Sequence, residues 1–103
     1  MLTVKETEYF TRISDGVWQD GERVEFIDWI SVNPMAGDVI PGTAGLRKVR
    51  WQRAGMGKRG GARVIYFNRL DAGLVVLLMV YTKTKFDNLR PEFLTYLKEQ
   101  AHD

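Results

Sequence analysis

Residues 62–81 read ARVIYFNRLDAGLVVLLMVY, and the order of strand-forming and turn residues in this stretch decides the fold. Residues 62–68 are rich in β-branched and aromatic side chains, which favour a β-strand. Asp71 and Gly73 are turn residues, and residues 74–81 form a continuous apolar run, typical of a strand covered on both faces. The stretch therefore predicts two paired strands, and we expect the second to be the central strand of a sheet.

A third strand is predicted before this pair. Residues 46–51 alternate in two-residue steps, which places Lys48 and Arg50 on one face of the strand and Val49 on the other. The connecting residues 55–61 are rich in glycine and basic side chains, so we expect a loop there. The three strands would follow one another as a meander.

The N-terminal part of the chain favours helices. After a weakly alternating, extended segment at residues 2–7, the spacing of apolar residues predicts a short helix over residues 8–13. Asp20 is a suitable N-cap for a longer helix, because apolar side chains recur at helical spacing from there to Asn33. Proline and glycine then predict a loop over residues 34–45.

A last helix is predicted near the C-terminal end. Asp87 or Asn88 is expected to cap it, and its apolar stripe consists of Phe93, Leu94 and Leu97. The element order is then strand, two helices, three strands and a helix, which is an α+β fold. Since 45% of the 103 residues are hydrophobic, the chain is expected to form a single domain over its whole length, 1–103.

Cysteine usage and hydropathy indicate the setting of the protein. The chain has no cysteine, so we expect neither a disulfide framework nor a thiolate metal site, and a cytoplasmic location fits. The longest apolar run, residues 74–81, is much too short to span a bilayer, and the first residues lack the apolar core of a signal peptide. Export and membrane insertion are therefore not expected.

Charge is distributed very unevenly along the chain. Residues 1–46 hold three basic and eight acidic side chains, whereas residues 47–90 hold eleven basic and two acidic ones. The overall net charge is only +2, so the asymmetry is more informative than the total. A basic middle segment of this kind indicates an anionic partner, and nucleic acid is the commonest candidate.

The basic side chains concentrate in one cluster. Residues 47–63 contain seven basic residues and no acidic one. Lysine and arginine neutralise phosphates, while the flanking Trp51, Tyr66 and Tyr81 are candidates for stacking on unpaired bases. Alternatively, the cluster is a solvated basic strand pair whose aromatic residues belong to the core.

The sequence offers few histidine or carboxylate residues that are suited to catalysis. His102 is the only histidine and lies at the end of the sequence, so a two-histidine ribonuclease mechanism is excluded, and we expect no metal and no cofactor. Asp71 and Asp87 are better explained as a turn residue and a helix cap. Phosphodiester chemistry would therefore depend on Lys, Arg and Tyr side chains, which can stabilise a charged phosphorane or transfer a proton.

Three segments of the sequence carry a family resemblance: GLRKVRW at residues 45–51, GKRGGARVIYF at 57–67 and LLMVYTK at 77–83. They closely resemble RelE/HigB-like toxins of bacterial toxin–antitoxin systems, with the HigB branch nearest. The resemblance implies two N-terminal helices packed on a small, twisted, mostly antiparallel sheet with a C-terminal helix. It also implies a metal-independent endoribonuclease that cleaves messenger RNA on the translating ribosome, and a cognate antitoxin, expected to be of the helix-turn-helix type.

The resemblance assigns roles to basic residues on and after the strands. Lys48, Arg50 and Arg63 match the family's basic residues on two successive strands, and Lys83 takes the place of a cation near the leaving group. These four are the expected catalytic residues. The residues expected to bind RNA are Arg47, Arg53, Lys58, Arg59, Tyr66, Tyr81 and Lys85.

Two of these assignments have alternatives. RelE-type members have a catalytic tyrosine in the C-terminal helix, whereas the nearest residues here are Phe93 and Tyr96, so a tyrosine base in this helix is in doubt. Tyr81 is a substitute for it or, alternatively, a core aromatic at the end of a strand. Arg63 has an alternative role as the partner of a structural salt bridge to the acidic N-terminal helix.

Two other functions remain open on sequence grounds. Within the same fold, a ParE-like protein inhibits DNA gyrase by binding, but it lacks a concentrated cationic site. From a different class, a non-catalytic RNA- or ribosome-binding module would show an equally suitable charge pattern. Only a measurement of cleavage separates such a module from a nuclease.

Overall fold

The predicted strand pair lies inside a five-stranded sheet, in a computed structural model that describes residues 1–51, 61–82 and 89–101. In chain order the elements are β1 (Thr3–Glu6), α1 (Glu8–Ser14), α2 (Asp20–Val32), β2 (Asp38–Val39), β3 (Arg47–Trp51), β4 (Ala62–Arg69), β5 (Leu74–Thr82) and α3 (Pro91–Gln100). The predicted α+β fold is confirmed, with helices and strands close to their expected positions.

The sheet is mostly antiparallel and has the order β1-β5-β4-β3-β2. β1 runs parallel to β5, and the other neighbours are antiparallel. β4, not β5, is therefore the central strand, which corrects the sequence-based expectation. The apolar run of β5 is explained because β5 is paired on both sides and covered on both faces. β2 was not predicted: its two residues lie within the expected loop and pair with Lys48 and Arg47.

The helix starts depend on local hydrogen bonds. The Thr7 hydroxyl oxygen accepts a hydrogen bond from the Phe10 N–H (3.2 Å), and the hydroxyl donates to the Leu77 carbonyl oxygen (2.9 Å), which ties α1 to β5. The N-cap of α2 is Gln19 and not the predicted Asp20; the Gln19 N–H donates to the Glu22 carboxylate (3.0 Å). α3 begins at Pro91, and its predicted caps lie outside the described residues.

Each face of the sheet carries its own core. On the α2 face, Phe26 and Ile30 of α2 pack with Val64 and other buried residues of the sheet. On the α3 face, Leu94 and Leu97 of α3 belong to a cluster of strand residues that includes Ile65, Phe67 and Val76. Alternate residues of β4 and β5 therefore enter opposite cores, so neither strand has a solvated face. None of the helices in the described residues is long and apolar enough to cross a membrane.

A β-bulge at Leu78 changes which side chains of β5 share a face. Ile65 pairs with Met79, but the next residue of β4, Tyr66, pairs with Leu77, so that Leu78 is one extra residue. Leu78 and Met79 consequently both belong to the core of the α3 face. The bulge decides which face of the sheet each residue of β5 after Leu78 occupies. A bulge commonly redirects side chains beside a functional site.

Candidate nucleic-acid interface

Three strands bring candidate site residues into one row across the sheet. Arg50 of β3 pairs directly with Arg63 of β4, and Arg63 pairs directly with Tyr81 of β5. Directly paired residues lie on the same face of a sheet, and neighbouring strands are about 4.8 Å apart. Lys48 lies two residues before Arg50 and therefore shares this face. The structure thus brings together Lys48, Arg50 and Arg63 as the alternation of the sequence predicts.

Arg63 is the unusual member of the row. Only 9% of it is exposed, and its Nη1 is buried without a hydrogen-bond partner among the described residues. Its direct neighbour Arg50 is also a cation, and like charges in direct cross-strand positions repel. A buried, unpaired guanidinium beside another one is unfavourable unless an anion joins them. The arrangement therefore favours the binding of an anionic group between these two side chains.

The structural alternative for Arg63 is wrong. Arg63 lies on the α3 face of β4, whereas α2, the acidic helix, packs on the opposite face. One ion pair of α2 joins Arg23 to Glu6 of β1 at 2.7 Å. Lys48 and Arg50, next to Arg63, are exposed and can reach a ligand in solvent.

Tyr81 is a core aromatic at the end of β5. It is 3% exposed and belongs to the same buried cluster as Met79 and Leu94. Its ring is buried in this core and is not an open stacking surface beside the basic residues, which corrects the prediction that it binds RNA by stacking there. It is the direct cross-strand neighbour of Arg63.

Tyr66 is fully buried on the α2 face, so the prediction that it binds RNA is corrected as well. Its hydroxyl accepts a hydrogen bond from the Gly37 N–H (2.9 Å) and donates one to the Pro34 carbonyl oxygen (2.8 Å). A Cβ at Gly37 would lie 2.9 Å from this hydroxyl and from the Lys48 carbonyl oxygen, so glycine is needed there. Burial raises the pKa of Tyr66, while the Gly37 hydrogen bond and the nearby Arg47 oppose that rise.

We expect Tyr66→Phe to lower the free energy of unfolding by about 1–3 kcal/mol at neutral pH, because it leaves a buried N–H and a carbonyl oxygen without their partner. The raised pKa means that the folded state keeps the hydroxyl proton where the unfolded chain has lost it. The contribution of the hydroxyl is therefore complete below about pH 10 and is lost as the pH rises through the higher pKa of the folded state.

Urea unfolding of the parent and of Tyr66→Phe at a series of alkaline pH values measures this contribution. The difference between the two proteins should shrink above about pH 10. A stability difference that stays constant with pH would contradict the expectation that Tyr66 loses its proton at a lower pH in the unfolded chain than in the folded protein.

Arg47 also lies on the α2 side of the sheet. Its guanidinium donates hydrogen bonds to the carbonyl oxygens of Gly37 and Met35, and so fastens the segment that leads into β2. Trp51 packs against Trp29 and Phe26, with ring centroids 5.2 and 5.4 Å apart respectively. These side chains are engaged in the fold, which argues against the predicted role of Arg47 in binding RNA.

Five predicted site residues lie outside the described residues, so their roles stay predictions: Lys83, Arg53, Lys58, Arg59 and Lys85. On α3, Tyr96 is 55% exposed and lines a groove with Thr7 and Leu78. Phe93 contacts Tyr9 edge to face, at a centroid distance of 6.4 Å. Within the described ranges, no group of three His, Cys, Asp or Glu side chains is arranged to hold a metal ion.

No family model matches the sequence. Among solved structures, the chain is similar to the E. coli toxin RelE, determined in the free state as a variant with two arginine-to-alanine substitutions. The TM-score is 0.63 at 11% sequence identity, and the match covers 94% of this chain and 96% of the RelE chain. The likeness therefore extends over the whole architecture, and the chain has a RelE-like fold.

Proposed function

We propose that this chain, which has the fold of the RelE toxin, is the toxin of a toxin–antitoxin pair and cleaves messenger RNA on the translating ribosome. Among RelE-like proteins we place it nearest to HigB, on the sequence segments that contain the basic residues of the site. The observation that supports cleavage best is Arg63, which is buried, lies directly opposite Arg50, and has no hydrogen-bond partner for its Nη1 in the part of the chain that the structure describes. Such a site suits the phosphate of a nucleic acid, because it offers two guanidinium groups to one anion.

The proposed reaction is a transesterification. The 2′-oxygen of the RNA attacks the neighbouring phosphorus, the bond from phosphorus to the 5′-oxygen breaks, and a 2′,3′-cyclic phosphate forms. Arg63 stabilises the charge that develops on the phosphorane oxygens. Lys48 and Arg50 hold the backbone and favour loss of the 2′-hydroxyl proton to solvent, and Lys83 protonates the leaving 5′-oxygen. No metal or cofactor is needed for these steps.

The exposed Lys48 and Arg50 give a direct test of phosphate contact. We expect Lys48→Ala and Arg50→Ala each to weaken binding of single-stranded RNA and to reduce the slope of log affinity against log salt by about 0.7, because each removes one phosphate contact. Arg69→Ala is the matched control, since Arg69 lies at the opposite end of β4 from Arg63. Unchanged slopes for both site variants would instead support a merely solvated basic surface.

The proposed partner is a cognate antitoxin of the helix-turn-helix type, encoded beside this gene. Expression of the chain alone should stop bacterial growth, and coexpression of the neighbouring reading frame should restore it. Growth that continues at full rate with folded protein present would contradict the toxin assignment.

A further inference from the structure

A groove of 430 Å³ lies between α1 and the last residues of β5. Its lining residues include Tyr9, Arg12, Ile13, Val17, Met79 and Tyr81. Most of these side chains are apolar or aromatic, and the volume suits one planar ring system. The groove therefore offers a mainly apolar surface at the edge of the sheet, where β1 no longer pairs with β5.

Among the described residues that line the groove, Arg12 is the only charged one. It is exposed, and its Cζ lies 5.8 Å from the centroid of the Tyr9 ring, which orients the guanidinium over an aromatic face. The acidic residues of α1 do not line this groove: Asp15 is the C-cap of the helix, and Glu8 lines the neighbouring groove beside α3, which Arg12 also borders. No carboxylate within the described ranges forms a salt bridge with Arg12.

The groove is continuous with the candidate interface through Tyr81. Tyr81 lines the groove and is also the direct partner of Arg63 on the next strand, which lies about 4.8 Å away. The basic side chains thus follow one another across the molecule, with Arg50 on β3, Arg63 on β4 and Arg12 on α1. An RNA chain that crosses the sheet along this row would bring the nucleotide next to the phosphate at Arg63 into the groove.

We propose that this groove binds one nucleobase of the RNA, next to the phosphate held at Arg63, and that Arg12 is the residue that binds it. The inference rests on the function proposed above. A base is flat and aromatic, so it suits apolar walls and an arginine plane, and the flanking phosphate is attracted by the same positive charge. Arg12 and Tyr9 had no role in the sequence-based prediction, because α1 is distant in sequence from the basic strands.

The test measures binding of a short single-stranded RNA that carries 2′-O-methyl groups, so that it is not cleaved. One base at a time is replaced by an abasic sugar, and fluorescence anisotropy gives the affinity for the parent, Arg12→Ala, Arg12→Lys and the control Arg69→Ala. We expect one abasic position to weaken binding to the parent about tenfold, because a stacked base contributes about that much. Arg12→Ala should weaken binding of intact RNA about fivefold, with a smaller loss for Arg12→Lys.

The two losses should not add. RNA with that one abasic position should bind Arg12→Ala nearly as well as it binds the parent, whereas the losses from Arg12→Ala and from the other abasic positions should add. Fully additive losses at every position, or an Arg12→Ala that matches Arg69→Ala, overturn the nucleobase site. If Arg63→Met leaves both the affinity for intact RNA and the cleavage of unmodified RNA unchanged, the proposed function itself fails, and the nucleobase site fails with it.

Discussion

Arg63→Met is expected to abolish growth arrest and RNA cleavage while it makes the folded protein more stable. Methionine keeps the apolar stem of the side chain but removes a charge that is buried without a partner among the described residues. Loss of one charged stabiliser of the phosphorane should lower the cleavage rate by at least about 10²–10³. Removal of the unpaired charge should raise the free energy of unfolding by about 1 kcal/mol or more.

A loss of cleavage together with a gain in stability would separate a catalytic role of Arg63 from a structural one. Cleavage is measured on messenger RNA in a purified translation reaction, and stability is measured by urea unfolding. Arg69→Met, at the other end of β4, is the control and should leave cleavage unchanged. If Arg63→Met lowers stability and leaves cleavage intact, Arg63 is a structural residue. Growth arrest by the parent without any cut RNA would favour a non-catalytic ribosome-binding module.

The sequence predicts the elements of this fold well where local pattern decides them. β4 and β5 consist of side chains that pack well on a pleated sheet, and apolar residues recur at helical spacing after residue 19, where α2 forms, although Val24 of that series is exposed. The alternation of Lys48, Val49 and Arg50 is also local, so their faces follow from the strand itself. Arg63 shares the face of Lys48 and Arg50 because β4 pairs antiparallel with β3 in the register that places Arg63 opposite Arg50.

Long-range contacts decide what the sequence does not reveal. The sequence pattern favours Tyr66 as a residue that stacks on a base, but the carbonyl of Pro34 and the N–H of Gly37, far from it along the chain, hold its hydroxyl in the core. The bulge at Leu78 depends on the pairing of β5 with β4, and no residue in an apolar run marks it. β2 is only two residues long and exists because β3 offers it a partner. The groove of Arg12 requires α1 to lie against β5, which local periodicity does not indicate.

The second prediction of large effect concerns the chemistry of cleavage. We expect cleavage to persist in excess EDTA and to be abolished by a single 2′-O-methyl group at the cut site, because the proposed nucleophile is the 2′-oxygen. The cations of the site supply the stabilisation that a metal would otherwise give, and Lys48, Arg50 and Arg63 on one face repel a divalent cation. The products should carry 2′,3′-cyclic phosphate or 3′-phosphate ends and free 5′-hydroxyl groups.

The design of this experiment must separate a metal requirement of the nuclease from that of the ribosome. Chelation dissociates ribosomes, so EDTA is added to free RNA or to ribosomes stabilised with polyamine, and the ends of the products are mapped chemically. Lys83→Ala should lower the rate of cleavage far more than the affinity for RNA, since its proposed role is to protonate the leaving oxygen. Metal-dependent cutting of free RNA, or products with 5′-phosphate and 3′-hydroxyl ends, would require a water nucleophile and would refute the transesterification even if the toxin assignment survived.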